Sequence, residues 1–135
     1  MNGLLMRSGE RVTRPLGQSS ARWQVLGRAG YRPQTVAQMA QEMGHARQSV
    51  QRIADALAAE ALVAYKDNPA DKRARLVELT AHGETVLAAI YARDQEWSRG
   101  LLAELDPAQL VAVADALDSI GRIFEAHLNQ EGGES

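Results

Sequence analysis

Residues 62–80, LVAYKDNPADKRARLVELT, place two short apolar runs, 62–65 and 76–79, on either side of a charged tip. The tip carries Asp67, Asn68, Pro69, Asp71, Lys72, Arg73 and Arg75. Two apolar runs bounding a Pro/Asn/Asp cluster predict a β-hairpin. An isolated two-stranded hairpin is marginal in water, so this one must rest on a helical body. Its crowded tip then faces something outside that body.

The segment just before the hairpin supplies two helices. TVAQMAQEMG (35–44) has Thr35 as N-cap and Gln38 three residues later, the spacing of a capping box. Val36, Met39, Ala40 and Met43 fall on one face, and Gly44 suits a left-handed stop. After the turn Gly44, His45 and Ala46, a helix over 46–60 repeats Val50, Ile53, Ala54 and Leu57 at helical spacing. Two helices cross steeply over so short a turn only if a small residue lies at the crossing and the turn tolerates positive φ. Ala40 and Gly44 meet those needs. The pattern is that of a helix-turn-helix.

The second helix of the pair carries Arg47, Gln48, Gln51, Arg52 and Asp55 opposite its apolar stripe. Arg and Gln pair bidentately with guanine and adenine edges in the major groove, although such a face alone also suits a plain solvated helix. The hairpin that follows makes a wing. Lys72, Arg73 and Arg75 are placed to reach phosphates or an adjacent minor groove. Asp71, which phosphate would repel, is read as an internal partner of Arg73 that stiffens the tip.

Further outward the chain is helical. Gly3, Gly9, Pro15 and Gly17 interrupt residues 1–19, which read as a loose arm or a short helix. Ser20 is a candidate cap for a helix carrying Trp23, Val25 and Leu26 and ending at Gly30, and YRPQ (31–34) reads as a connector. Thr80 opens a long helix to about Glu104 bearing Val86, Leu87, Ile90, Trp97 and Leu101. Asp106-Pro107-Ala108-Gln109 is a strong helix start. The last helix repeats Leu110, Val113, Leu117, Ile120 and Phe124, the narrow stripe of a helix packed on another helix.

The chain's 135 residues suffice for a sizeable core. Cysteine is absent, which excludes disulfides and thiol nucleophiles. No apolar run approaches the length of a membrane span and no signal-peptide core is present, so the expected location is cytoplasmic. The net charge of −2 conceals a split: residues 1–80 hold 12 Lys/Arg against 7 Asp/Glu, and residues 81–135 hold 3 against 10. A polyanion is thus expected to meet the first part.

From TVAQMAQ through LTAHGETVL (35–87) the sequence resembles the MarR family of bacterial winged helix-turn-helix transcriptional regulators. The resemblance extends over roughly 18–128, and its most specific piece is DNPADKRARLVELTAHGE, similar to the family's Asp-x-Arg wing followed by Leu-Thr-x-x-Gly. It implies a mainly α fold with one small β-hairpin. The organisation would be an arm or short dimerisation helix over 1–19, the DNA-binding domain over 20–80, helical dimerisation over 81–129, and a disordered tail over 130–135. By position, Arg47, Gln48, Ser49, Gln51 and Arg52 correspond to the groove-entering helix, and Asp71 and Arg73 to the wing motif. The resemblance further implies a homodimer on a pseudo-palindromic operator in double-stranded DNA, half-sites about 10–10.5 base pairs or a multiple apart. It also implies a small, often phenolic or aromatic, effector. The expected activity is a ligand-released repressor without cofactor.

Three departures from the family stand out. Ala61 sits where Gly is usual, and a left-handed Ala costs about 1 kcal/mol. Ala46 replaces a Ser or Thr cap. Residues before Ser20 are short and broken where a full dimerisation helix is usual. Trp23 and Trp97 are candidates for the effector pocket, with core packing as the plainer alternative. His45, His82 and His127 fall on separate elements, so no metal site is expected. No catalytic constellation is present and no enzyme activity is expected. The rival reading is a winged-helix protein-interaction module, an anti-repressor or partner protein without DNA binding. The acidic second part suits it; Arg47, Gln48 and Arg52 together with Lys72 and Arg73 weigh against it.

Overall fold

The computed structural model describes residues 2–131. Along them run α1 (Asn2–Thr13), a 3-10 turn (Arg14–Leu16), α2 (Ser20–Tyr31), β1 (Gln34–Thr35), α3 (Val36–Met43) and α4 (Arg47–Ala59). β2 (Val63–Lys66), β3 (Leu76–Leu79), α5 (Ala81–Glu104) and α6 (Pro107–Glu131) complete the order. The chain forms two units that divide between Gln95 and Glu96.

The first unit holds the core. Val25 and Leu26 of α2, Met39 of α3, and Val50, Ala54 and Leu57 of α4 are all fully buried. Ala40, read as the small residue at the helix crossing, is buried as well. Thr35 caps α3 in a complete capping box, its Oγ1 accepting from Gln38 N while Gln38 Oε1 accepts from Thr35 N. Gly44 closes the helix at φ 66°, and Ala46 starts α4 with no side-chain cap. The cap of α2 is Ser19, one residue earlier than expected, with its Oγ accepting from Arg22 N. Ser20 N instead donates to Glu10 Oε1 at 3.1 Å, tying α2 to α1.

Residues 2–13 form one continuous helix rather than a loose arm. Gly9 does not break it: a Cβ there would stand 2.6 Å from Ser20 Oγ, so the glycine permits a close approach to α2. Arg93 of α5 donates from Nε to Val12 O at 2.9 Å and so occupies a carbonyl at the C-terminal end of α1.

The hairpin does not stand as a lone pair. β2 and β3 are antiparallel, with Val63 opposite Leu79 and Tyr65 opposite Val77. β1 adds to the free edge of β3, placing Gln34 opposite Val77 and Thr35 opposite Leu76, so β3 is central in the order β1-β3-β2. The supposed connector is thus partly strand. Gln34 is buried and donates from Nε2 to Arg28 O at 3.0 Å, which anchors this edge to the end of α2.

The Leu-Thr-x-x-Gly piece joins wing to α5. Thr80 Oγ1 accepts from Gly83 N at 3.0 Å, capping α5, and donates toward the carbonyls of Ala61 and Leu62. A Cβ at Gly83 would fall 1.9 Å from Leu62 O, so only glycine fits. Ala61 adopts φ 57°, so the left-handed turn is kept despite the cost that Ala carries there.

In the second unit, Asp106 caps α6 by accepting Ala108 N on Oδ1 at 3.0 Å, and Pro107 is the first helical residue. Every residue from 101 to 130 is exposed, including Leu110, Val113, Leu117, Ile120 and Phe124. The helix continues to Glu131 where a frayed tail was expected from residue 130; residues 132–135 lie outside the described ones. Among the described residues no helix is long and apolar enough to cross a membrane.

Candidate nucleic-acid interface

The buried stripe of α4 fixes which side chains it presents outward. With Val50, Ala54 and Leu57 inside, Arg47, Gln48, Ser49, Arg52 and Asp55 are exposed and Gln51 is half-buried at the edge. The wing tip is held by short-range hydrogen bonds. Asn68 Oδ1 accepts from Ala70 N at 3.1 Å, and Asp71 Oδ1 accepts from Arg73 N at 2.9 Å. Asp71 therefore stiffens the tip through the backbone of Arg73, not through the guanidinium partner expected for it. That leaves the guanidinium outside the turn, and Lys72, Arg73 and Arg75 are all exposed.

A polar groove of about 190 Å³ joins three elements. Thr35, Val36 and Ala37 at the start of α3, Arg47 and Gln51 of α4, and Arg73, Ala74 and Arg75 of the wing line it. Three guanidinium-bearing side chains thus share one concavity with the amino end of α3, the end of a helix dipole that favours negative charge. Arg47, Gln51 and Arg73 are brought together. Gln48, Gln51, Arg52 and Asp55 line a second, open depression along α4. Lys72 and Ser49 are exposed but line neither of these two depressions.

One set of contacts was not legible beforehand. Tyr65, read only as an apolar hairpin position, sends its hydroxyl to Asp55 Oδ1, and Gln51 Nε2 lies 2.9 Å from both Asp55 Oδ1 and the Tyr65 hydroxyl. The Arg75 guanidinium sits over the Tyr65 ring, 4.5 Å from its centroid. Hydrogen bonds from Tyr65 first and Gln51 second hold the Asp55 carboxyl below its ordinary range. Desolvation, followed by Asp55, pushes the Tyr65 hydroxyl up to about 12. The spacing of Gln51 and Asp55, four apart on one helix, was the available signal. The strand partner was not.

The two tryptophans fall in separate units. Trp23 meets Tyr91 edge-on, with ring centroids 6.1 Å apart. Trp97 lines a shallow depression with Glu96, Gly100, Leu101 and Glu104. Among the described residues no cluster of three or more His, Cys, Asp or Glu is arranged to hold a metal ion.

The fold is shared with known proteins. The MarR family model matches residues 16–74. An uncharacterised protein of Mycobacterium tuberculosis is 41% identical over 115 residues, covering 85% of this chain and 80% of that protein. Among solved structures, the MarR family transcription regulator SP03579 superposes with TM-score 0.81 at 25% identity, over 94% of this chain and 84% of that one. A mutant of MarR from E. coli complexed with operator DNA gives 0.79 at 21% identity, over 88% and 86%. CouR from Rhodococcus jostii RHA1 bound to p-coumaroyl-CoA gives 0.74 at 21%, over 88% and 85%. The chain belongs to the MarR family and has the winged-helix fold of its transcriptional regulators.

Proposed function

We propose that the protein is a sequence-specific DNA-binding transcriptional regulator, a homodimeric repressor released by a small ligand. The observation that carries this reading is the groove in which Arg47, Gln51, Arg73 and Arg75 meet across α4 and the wing. In it α4 enters the major groove of a duplex, Gln48, Gln51 and Arg52 read base edges, and Lys72, Arg73 and Arg75 engage the backbone or the adjacent minor groove. The operator-bound MarR structure, of the same fold, supports this use of the surface.

The exposed stripe of α6 supports the dimer. Leu117 and Phe124 keep 63% and 65% of their surface open in the single chain. A second copy covering them would recover roughly 1.5–3 kcal/mol for each large apolar side chain. Two copies then place two α4 helices on a pseudo-palindrome. The effector reading draws on the p-coumaroyl-CoA complex of CouR and takes Trp23 of the first unit and Trp97 of the second as separate candidates for contact with an aromatic or phenolic ligand. Such a ligand releases DNA only insofar as it binds the released form more tightly.

The test is a salt-titrated binding assay on the DNA upstream of the protein's own coding sequence. Arg73→Ala is expected to weaken all sequences alike and to reduce the slope of log affinity against log salt by about one. An unchanged slope removes the wing from the backbone contacts. Absence of any salt-sensitive binding would favour the protein-interaction reading that the acidic residues 81–135 suggest.

A further inference from the structure

The hairpin is anchored at its base and long at its tip. β2 and β3 pair only from Val63 with Leu79 to Lys66 with Leu76, which leaves residues 67–75 beyond the last rung. Val63 and Val77 sit in the core. Side chains alternate along a strand, so Tyr65 shares the face of Val63 and is the last residue of β2 on that side. It stands half-buried where the sheet leaves the body, opposite Val77.

From that place Tyr65 reaches α4. Its hydroxyl donates to Asp55 Oδ1, and Gln51 Nε2 lies 2.9 Å from the hydroxyl oxygen. Among the described residues, no other side-chain hydrogen bond or ion pair joins α4 to residues 63–79. The Arg75 guanidinium covers the Tyr65 ring, 4.5 Å from its centroid. A cation–π contact of this kind restrains the ring and ties in the segment that returns from the tip. Both arms of the hairpin are thus fastened to α4 through one phenol.

A tip longer than the strands that carry it would swing relative to α4 if the sheet alone held it. A contact made by a swinging element is weaker, because that element must be ordered at the moment of binding. We propose that Tyr65 is a strut that holds the wing at one distance from α4, so that Arg73 meets the phosphate backbone whenever α4 enters the major groove. The inference rests on the DNA-binding reading given above. Tyr65 and Asp55 are positioning residues in this scheme: the hydroxyl acts through where it holds Arg73, not by touching DNA.

The signature of the strut is a loss of salt dependence caused by an uncharged substitution. Binding is measured with the full-length protein on the DNA upstream of its own coding sequence. Tyr65→Phe should reduce the slope of log affinity against log salt by about one, as Arg73→Ala does. The double variant Tyr65→Phe, Arg73→Ala should match Arg73→Ala alone. Because Tyr65→Phe also uncovers the Asp55 carboxylate, Asp55→Ala, Tyr65→Phe controls for charge, and the same lowered slope is expected. A wild-type slope in either Tyr65→Phe chain, or a slope that Arg73→Ala does not move, overturns the strut and leaves DNA binding intact. If the wild type shows no salt-sensitive binding, the DNA-binding reading itself fails.

A second measurement needs no change at Tyr65. The chain has no cysteine, so Ala56→Cys and Ala70→Cys, both at exposed positions, can carry spin labels on α4 and the wing tip. Diluted with unlabelled protein, the labelled chain free of DNA should give one narrow distance, and Tyr65→Phe should broaden it. A broad distribution with Tyr65 in place overturns the strut, whether or not the Tyr65→Phe chain folds.

Discussion

Between residues 12 and 90 the chain buries fifteen apolar side chains, among them Leu26, Met39, Leu57 and Ile90 with no exposed surface. From residue 101 to residue 130 it buries none, although Leu110, Val113, Leu117, Ile120, Ile123 and Phe124 lie on one helix. The two regions have comparable apolar content but opposite arrangements. In the first, the buried side chains come from five helices and the sheet. In the second, a narrow stripe on α6 meets no equivalent enclosure. The first unit thus closes its core by itself, and the second leaves an apolar stripe that the proposed association would cover.

Substitutions can break this contrast from either side. The largest expected effect is Gly83→Ala, because the added Cβ would meet the Leu62 carbonyl oxygen at 1.9 Å and backbone there has little room to yield. The expected cost is about 3 kcal/mol, read as a lowered urea midpoint that is the same at every protein concentration. A midpoint near that of the wild type would show that the junction of β2, β3 and α5 is looser than its geometry.

On the other side, Leu117→Glu together with Phe124→Glu should weaken self-association by about a hundredfold, or roughly 2.7 kcal/mol. Sedimentation measures that shift directly. The cooperative unfolding of the first unit should persist in the variant. An unchanged monomer–dimer equilibrium would mean that the stripe is not where copies meet.

A third experiment sharpens the contrast by pH. Tyr65 is ordinarily ionised near 10 and is pushed up to about 12 in the fold, so the folded state favours the neutral phenol. The stabilisation is complete below pH 10 and is lost as pH rises through about 12. Urea midpoints across that window should fall for the wild type and lose that component in Tyr65→Phe. The Leu117, Phe124 variant should retain it, since the titration belongs to the first unit.

The smallest expected change is a gain. Ala61 holds φ 57°, where Gly avoids the steric cost of a Cβ but gives up more chain entropy. Ala61→Gly should stabilise by about 1 kcal/mol or less, measured as a raised thermal midpoint. A loss would indicate that the Ala61 methyl packs more favourably than its exposure suggests.

Much of this arrangement was legible in the residues themselves. Thr35 with Gln38, Gly44, Thr80 and Asp106-Pro107 marked helix ends that the structure places within a residue or so. Each such signal acts over one helical turn, so a linear reading captures it. The N-terminal helix was harder, because Gly9 looks like a break until its approach to Ser20 is seen. The strand Gln34–Thr35 was hidden for a similar reason: two residues become a strand only because β3, some forty positions later, offers a free edge. At the candidate site the basic and amide side chains were identifiable by type and helical spacing. Their convergence on one groove required the crossing angle and the wing's position.

By itself, then, the sequence determined the helix-turn-helix pair, the wing that follows it, and the apolar stripe of the last helix. All three follow from side-chain periodicity and local capping, which depend on neighbours a few residues away. Only the tertiary structure decided which partners Gln51 meets, because the Tyr65 hydroxyl reaches it from a strand and Arg75 lies over that tyrosine's ring. Such contacts close through space, and no linear spacing specifies which strand residue will meet which helix residue.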